Sequence, residues 1–143
     1  MKVKIESGNA PKAIGPYSQA VLVDDTLYVS GNIPVNPATG DVADGIVNQS
    51  KQVFENMKAV LNEAGMGFEN VVKTTAFLTD LSNFATFNEI YASYFVAPYP
   101  ARSCVEVSKL PKNVLRGRVH RKEIKISPLN PLFRRISFCP FRA

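Results

Sequence analysis

Apolar positions along the chain recur with two periods, and each period marks a different kind of element. Over residues 47–64 the positions Val47, Phe54, Met57, Leu61 and Ala64 recur at three, four and seven, which lays one apolar stripe along a helix. Gly65 follows as the natural stop, since a residue without Cβ takes up the left-handed turn that ends a helix. A second stripe, Phe84, Phe87, Tyr91 and Phe95, predicts another helix, with Ser82 as its N-cap and an end before Pro98. Alternating or β-branched runs predict strands over residues 3–5, 20–23, 27–30, 71–78 and 103–107, with a last strand expected near 114–121. Asp24-Asp25-Thr26 is the hairpin turn between the second and third of these. The Pro- and Gly-bearing stretches 9–17 and 34–44 read as irregular connections. Two helices against five or six strands, with a hairpin among them, predict an α+β fold with both helices on one face of the sheet.

Such a sheet has a second face. Ser103, Val105 and Val107 point one way along their strand, and Arg102, Cys104 and Glu106 the other. Placing the valines against the helices leaves the Arg102 face uncovered. The preceding strand, with Val72, Thr74, Ala76 and Leu78 alternating against Val71, Lys73, Thr75 and Phe77, is partly apolar on both faces as well. The pattern therefore predicts an oligomer built through the Arg102 face.

Composition narrows the class. A chain of 143 residues is long enough for one core and too short for two, and it contains no repeats. No run of about 18 apolar residues is present, so no membrane span is expected, and the start lacks the apolar stretch of a signal peptide. Two cysteines make no disulfide framework, which points to a reducing, cytoplasmic compartment. The net charge of +5 suggests an anionic partner such as nucleic acid. Its distribution changes that picture: residues 1–115 carry a net −2 and residues 116–143 a net +7. Arg102 is the one arginine of the first segment, whereas Arg116, Arg118, Arg121, Arg134, Arg135 and Arg142 crowd the second. A basic tail is one reading, and a segment from another reading frame is a second.

Few residues could carry metal or cofactor chemistry. His120 is the only histidine, the two cysteines stand far apart, and there is no phosphate loop, nucleophile elbow or dinucleotide fingerprint. The expectation is a site without metal or cofactor. Within it, Arg102 opens a strand that reads as buried, where its charge needs either an internal carboxylate or the carboxylate of a ligand gripped by both guanidinium edges. Tyr17 follows Gly15-Pro16 on a rigid turn, suited to a positioned hydroxyl or to simple surface packing. Asn88 lies beside the aromatic stripe, as a pocket residue or an exposed helix residue. Ser30-Gly31 ends a strand and offers backbone N–H donors or only a turn, and Cys104 in mid-strand reads as core.

Taken together, these stretches resemble the RidA (YjgF) family of reactive-intermediate deaminases, also described as endoribonuclease L-PSP-like. The residues that carry the resemblance are Ala13-Ile14-Gly15-Pro16-Tyr17-Ser18-Gln19-Ala20, Ser30-Gly31-Asn32-Ile33-Pro34, the run 49–56, Lys73-Thr74-Thr75, Asn88 and Pro100-Ala101-Arg102-Ser103-Cys104-Val105-Glu106-Val107 with Leu110-Pro111-Lys112 after it. The resemblance covers residues 1–115. It implies a chorismate-mutase-like α+β fold, with two helices on one face of a mixed sheet. It also implies a homotrimer whose sheets form a barrel, with sites in the clefts between subunits. The implied reaction is hydrolytic deamination of 2-imino and enamine acids of the 2-aminoacrylate type to 2-keto acids and ammonia, without cofactor or metal. Carried over by position, Arg102 grips the substrate carboxylate, Tyr17 and Asn88 line the pocket, Ser30 and Gly31 shape its wall, and the Cys104 backbone orients water or the imine.

The resemblance also implies a glutamate base in the last strand, and its position falls on Gly117. Here the chain reads Arg116-Gly117-Arg118-Val119-His120-Arg121-Lys122-Glu123-Ile124, with no alternating strand of the family type. An allowed codon choice for that string, read one nucleotide later, gives Glu-Val-Glu-Cys-Ile-Ala-Lys-Lys followed by a stop. Residues 116–143 thus read as a frameshifted, aberrant basic tail on a single domain of residues 1–115, reaching about residue 126 if the last strand forms. Loss of the glutamate predicts impaired deaminase activity. Glu106, on the Arg102 face but further along, is a poor stand-in, and His120 has a suitable pKa but no expected place. Two other functions stand beside this one. They are an RNA-binding or ribonuclease-type translation inhibitor, disfavoured by the acidic first segment, and a trimer that binds small carboxylates without turnover.

Overall fold

Three short strands and a long helix form the first half of the computed structural model, which describes residues 1–111. Strands β1 (Lys2–Ile5), β2 (Ala20–Val23) and β3 (Thr26–Val29) make one antiparallel sheet in that order. Val23 pairs with Thr26, so the turn is Asp24-Asp25, with Asp24 in the left-handed region at φ 50°. Helix α1 (Gly45–Glu63) starts at Asp44, whose carboxylate accepts the Gly45 N–H at 2.9 Å. It ends at Gly65, φ 69°, where the Met66 N–H bonds Leu61 O at 3.0 Å and the Gly65 N–H bonds Asn62 O at 2.9 Å. That double bond closes the helix as the glycine signal predicts.

The second half alternates strand and helix. Strand β4 (Lys73–Leu78) leads through a short helical turn at Leu81–Asn83 into α2 (Phe84–Tyr94), and the chain returns as β5 (Ala101–Glu106), parallel to β4. A parallel pair needs a crossover, and α2 is that crossover. The order β-β-β-α-β-α-β is the one read from the sequence, and the fold is α+β with two helices packed on strands of both directions. The strand expected near 114–121 lies outside the described residues. Among those described, β1–β3 and β4–β5 form separate sheets.

Phe54 of α1 is the hub of the core. It is fully buried and meets Phe87, Tyr91 and Tyr94 of α2 and also Phe95 and Phe68, with ring centres 4.7 to 6.3 Å apart. Edge-to-face and offset contacts of this kind add about 0.5–1.5 kcal/mol each beyond burial. Leu27 and Val29 from β3 and Ala76 and Leu78 from β4 close the same cluster.

Several expectations are corrected. Val47 is 41% exposed and Ala64 is the C-cap, while Val53 and Val60 carry the buried stripe with Phe54, Met57 and Leu61. The cap of the turn before α2 is Asp80, which accepts the Ser82 N–H at 2.8 Å, so Ser82 is not the N-cap. Phe84 is partly exposed and Ile90 takes its place in the core. The largest correction concerns the faces of β5. Register pairs Thr74 with Arg102 and Ala76 with Cys104, and Thr74 and Ala76 are buried under α2. The Arg102 face is therefore the covered one. The face left open is that of Ser103 and Val105 with Lys73, Thr75 and Phe77, where Lys73 Nζ donates to Ser103 Oγ at 3.1 Å and Val105 is 42% exposed.

Candidate active site

An arginine entering a strand that packs under a helix must find a partner for its charge. Arg102 finds aromatic faces: its guanidinium carbon sits 4.6 Å from the ring centre of Tyr91, 5.5 Å from Phe84 and 5.7 Å from Phe87. Each such contact is worth about 0.5–2 kcal/mol depending on burial. No described carboxylate forms a salt bridge with Arg102; the two ion pairs among the described residues are Met1–Asp24 and Lys4–Glu6. Stacking satisfies the faces of a guanidinium and leaves its N–H edges for an anion. Glu106, on the same strand, is engaged otherwise, its Oε2 accepting the Leu81 N–H at 2.8 Å.

The groups around Arg102 are neutral. Burial pushes the Tyr91 hydroxyl above its ordinary pKa, and the bond to Thr74 Oγ1 at 2.9 Å and the Arg102 charge offset part of that rise. Burial likewise pushes the Cys104 thiol up, with Arg102 opposing. A thiol so placed is not an activated nucleophile, so any role of Cys104 falls to its backbone. Asn88, one residue after the fully buried Phe87, lies half-buried on α2.

The other sequence-selected residues form a second group. Tyr17, Ser30 and Gly31 line a small cavity of about 50 Å³, with Ile14, Ile33 and Val35 among its apolar walls. Tyr17 is 49% exposed and its hydroxyl accepts the Ile14 N–H at 3.4 Å, which folds the 14–17 turn over itself. Ser30 ties the strand end to the turn: its Oγ donates to Ser18 O at 2.6 Å and its N–H to Gln19 O at 2.8 Å. Asn88, Arg102 and Cys104 do not line this cavity. The described residues thus place the candidates in two separate groups, an arginine on an aromatic seat and a small cleft lined by the Tyr17 and Ser30 side chains. Gly117 and His120 lie outside the described residues.

Two residues that matter to the cleft escape a reading by apolar period. Gln19 and Asn56 are buried amides bonded to the loops that form the cleft walls. Their signal is a polar residue at a position where the stripe or strand demands burial.

The family model described as Endoribonuclease L-PSP matches residues 7–116. The human 2-iminobutanoate/2-iminopropanoate deaminase is 50% identical over 109 residues, 76% of this chain and 80% of that protein. A solved structure of a Yersinia pestis protein of the conserved Rid family superposes with a TM-score of 0.77 at 50% identity, covering 83% of this chain and 93% of that one. Escherichia coli TdcF, solved with bound serine, superposes with a TM-score of 0.75 at 39% identity, covering 84% and 99%.

Proposed function

The chain belongs to the endoribonuclease L-PSP (RidA/YjgF) family, and from that premise we propose that it hydrolyses 2-imino acids to 2-keto acids and ammonia. The observation that carries this reading is Arg102, half-buried on three aromatic rings and bonded to no described carboxylate. Its N–H edges are a clamp for the substrate carboxylate. The second half-site, with Tyr17, Ser30 and Gly31, supplies the wall for the short side chain and the imine. The two half-sites meet across a subunit boundary in a homotrimer, and the exposed Val105 face of β4–β5 is the apolar surface available for that contact.

The chemistry asks little beyond orientation. An iminium carbon is already electrophilic, so water adds to it, the C–N bond of the resulting carbinolamine breaks, and ammonia leaves as the keto group forms. Holding the carboxylate and the wall in place supplies the positional part of the barrier, and one base activates the water. In this chain the position of that base falls on Gly117, which has no side chain to serve. The deaminase is therefore slow. The family match ends at residue 116, where the arginine-rich segment begins, which supports reading residues 116–143 as a frameshifted tail outside the domain. Two cysteines, with Cys104 as a free thiol, fit work in the reducing cytoplasm.

Binding of 2-oxobutanoate, a stable relative of the imine, tests the clamp by calorimetry. Arg102→Ala weakens it by about 100-fold, as expected from loss of a bidentate charge-assisted pair worth about 3 kcal/mol. Equal affinity of the two proteins rejects the assignment. One observation favours a second reading, RNA binding: the net +7 of residues 116–143 attracts phosphate. That binding disappears when the tail is removed.

A further inference from the structure

The cleft of Tyr17, Ser30 and Gly31 is made of loop, and loop backbone does not hold its own shape. Each buried N–H and C=O along it must find a partner. Two side-chain amides provide them. Gln19, 6% exposed, accepts the Ser7 N–H at Oε1 (2.7 Å), and its Nε2 donates to the carbonyls of Pro11 (2.9 Å), Ser7 (3.2 Å) and Ala10 (3.3 Å). This fixes the loop that leads into the Tyr17 turn. Asn56 of α1, 1% exposed, donates from Nδ2 to the carbonyls of Ile33 (3.0 Å) and Val35 (2.9 Å), and its Oδ1 accepts from Gln52 Nε2 at 2.9 Å. This fixes the opposite wall, and Gln52 sets which way the amide faces. A neutral amide is the side chain that can both donate and accept within one such site.

We infer that Gln19 and Asn56 are positioning residues that set the width of this cleft, and through it the affinity for the small acid. The inference rests on the reading that the cleft is half of the substrate site. The stretches 13–20 and 49–56 hold buried or half-buried amides whose hydrogen bonds go to backbone or to each other, and this role accounts for Gln19, Gln52 and Asn56. The two walls meet at Ser30, joined to Ser18 and Gln19, so a shift in either amide moves Ser30 and Gly31 relative to Tyr17.

The test uses Gln19→Met and Asn56→Leu in the full chain, both neutral and close in volume. Two readouts are taken well below the thermal midpoint: amide-proton exchange and calorimetric affinity for 2-oxobutanoate. Exchange at Ser30 and Val35 should quicken about tenfold while Leu27 in β3 stays protected, and the dissociation constant should rise about tenfold, a fraction of what the several buried hydrogen bonds lost in each variant contribute to the fold. Unchanged affinity, within about twofold, in a variant whose midpoint alone has fallen makes the amides purely structural and overturns the inference. If both variants fail to fold, Gln52→Met, at a partly exposed position, decides: a rise of about threefold supports the inference and none rejects it. A wild-type chain that binds no 2-oxobutanoate sinks the functional reading instead. The exchange pattern then still decides whether the amides hold the walls.

Discussion

Arg102 shows how far a single residue can be read from sequence. The one arginine of residues 1–115, a segment of net charge −2, stands at the head of a strand and is an anomaly that burial physics marks at once. Its partners are not legible in the sequence, because they depend on register. Only the pairing of Thr74 with Arg102 places the guanidinium under α2 and on the Phe84, Phe87 and Tyr91 rings. The same limit applies to Tyr94, whose hydroxyl donates to Glu55 Oε1 at 2.9 Å from a different helix. Burial, with that carboxylate adding to it, pushes the Tyr94 pKa up to about 12. Raised above the ordinary value near 10, the group favours the fold below pH 10 and loses that contribution as pH climbs through about 12. Urea unfolding of the wild type and Tyr94→Phe should show a gap that is constant from pH 7 to about 9.5 and shrinks above 10. A pH-independent gap contradicts it.

Helix α1 shows what an element's period reveals and what it hides. The stripe located the helix and Gly65 located its end, because both follow from local geometry. The stripe includes Val47 and omits Val53 and Val60, since the interior of a two-layer fold is wider than one line of apolar residues. It also passed over Asn56 and Gln49, which are buried although polar. Phe54→Ala should cost about 3–5 kcal/mol in urea unfolding, as it empties the centre of the aromatic cluster. Gly65→Ala, in the left-handed region, should cost about 1 kcal/mol. A larger loss at Gly65 than at Phe54 would show that helix ends, rather than the core, limit stability.

At the scale of the whole molecule, charge and fold divide the chain differently. The described residues build two sheets and hold the candidate residues in two groups, while the +5 of the sequence is owed to residues 116–143. The order of elements is legible in the sequence because it depends on neighbours along the chain. The open face of the sheet is not, because it depends on which of two partly apolar faces the helices take. No described helix is long and apolar enough to cross a membrane. Removing residues 116–143 should abolish RNA binding at low salt and leave affinity for 2-oxobutanoate within about twofold. RNA binding that survives the truncation would place the nucleic-acid surface in the acidic domain and reverse the ranking of the two functions.

Ammonia release from freshly generated 2-aminoacrylate, measured for this chain, for its Arg102→Ala variant and for a chain ending in the other reading frame, is the direct test of imine hydrolysis at the Arg102 clamp. Expected are slow release by this chain, release at the uncatalysed rate for Arg102→Ala, and release at least about 100-fold faster once the glutamate-bearing ending is restored, the usual contribution of a general base. Release that is indifferent to Arg102 would contradict hydrolysis at that clamp.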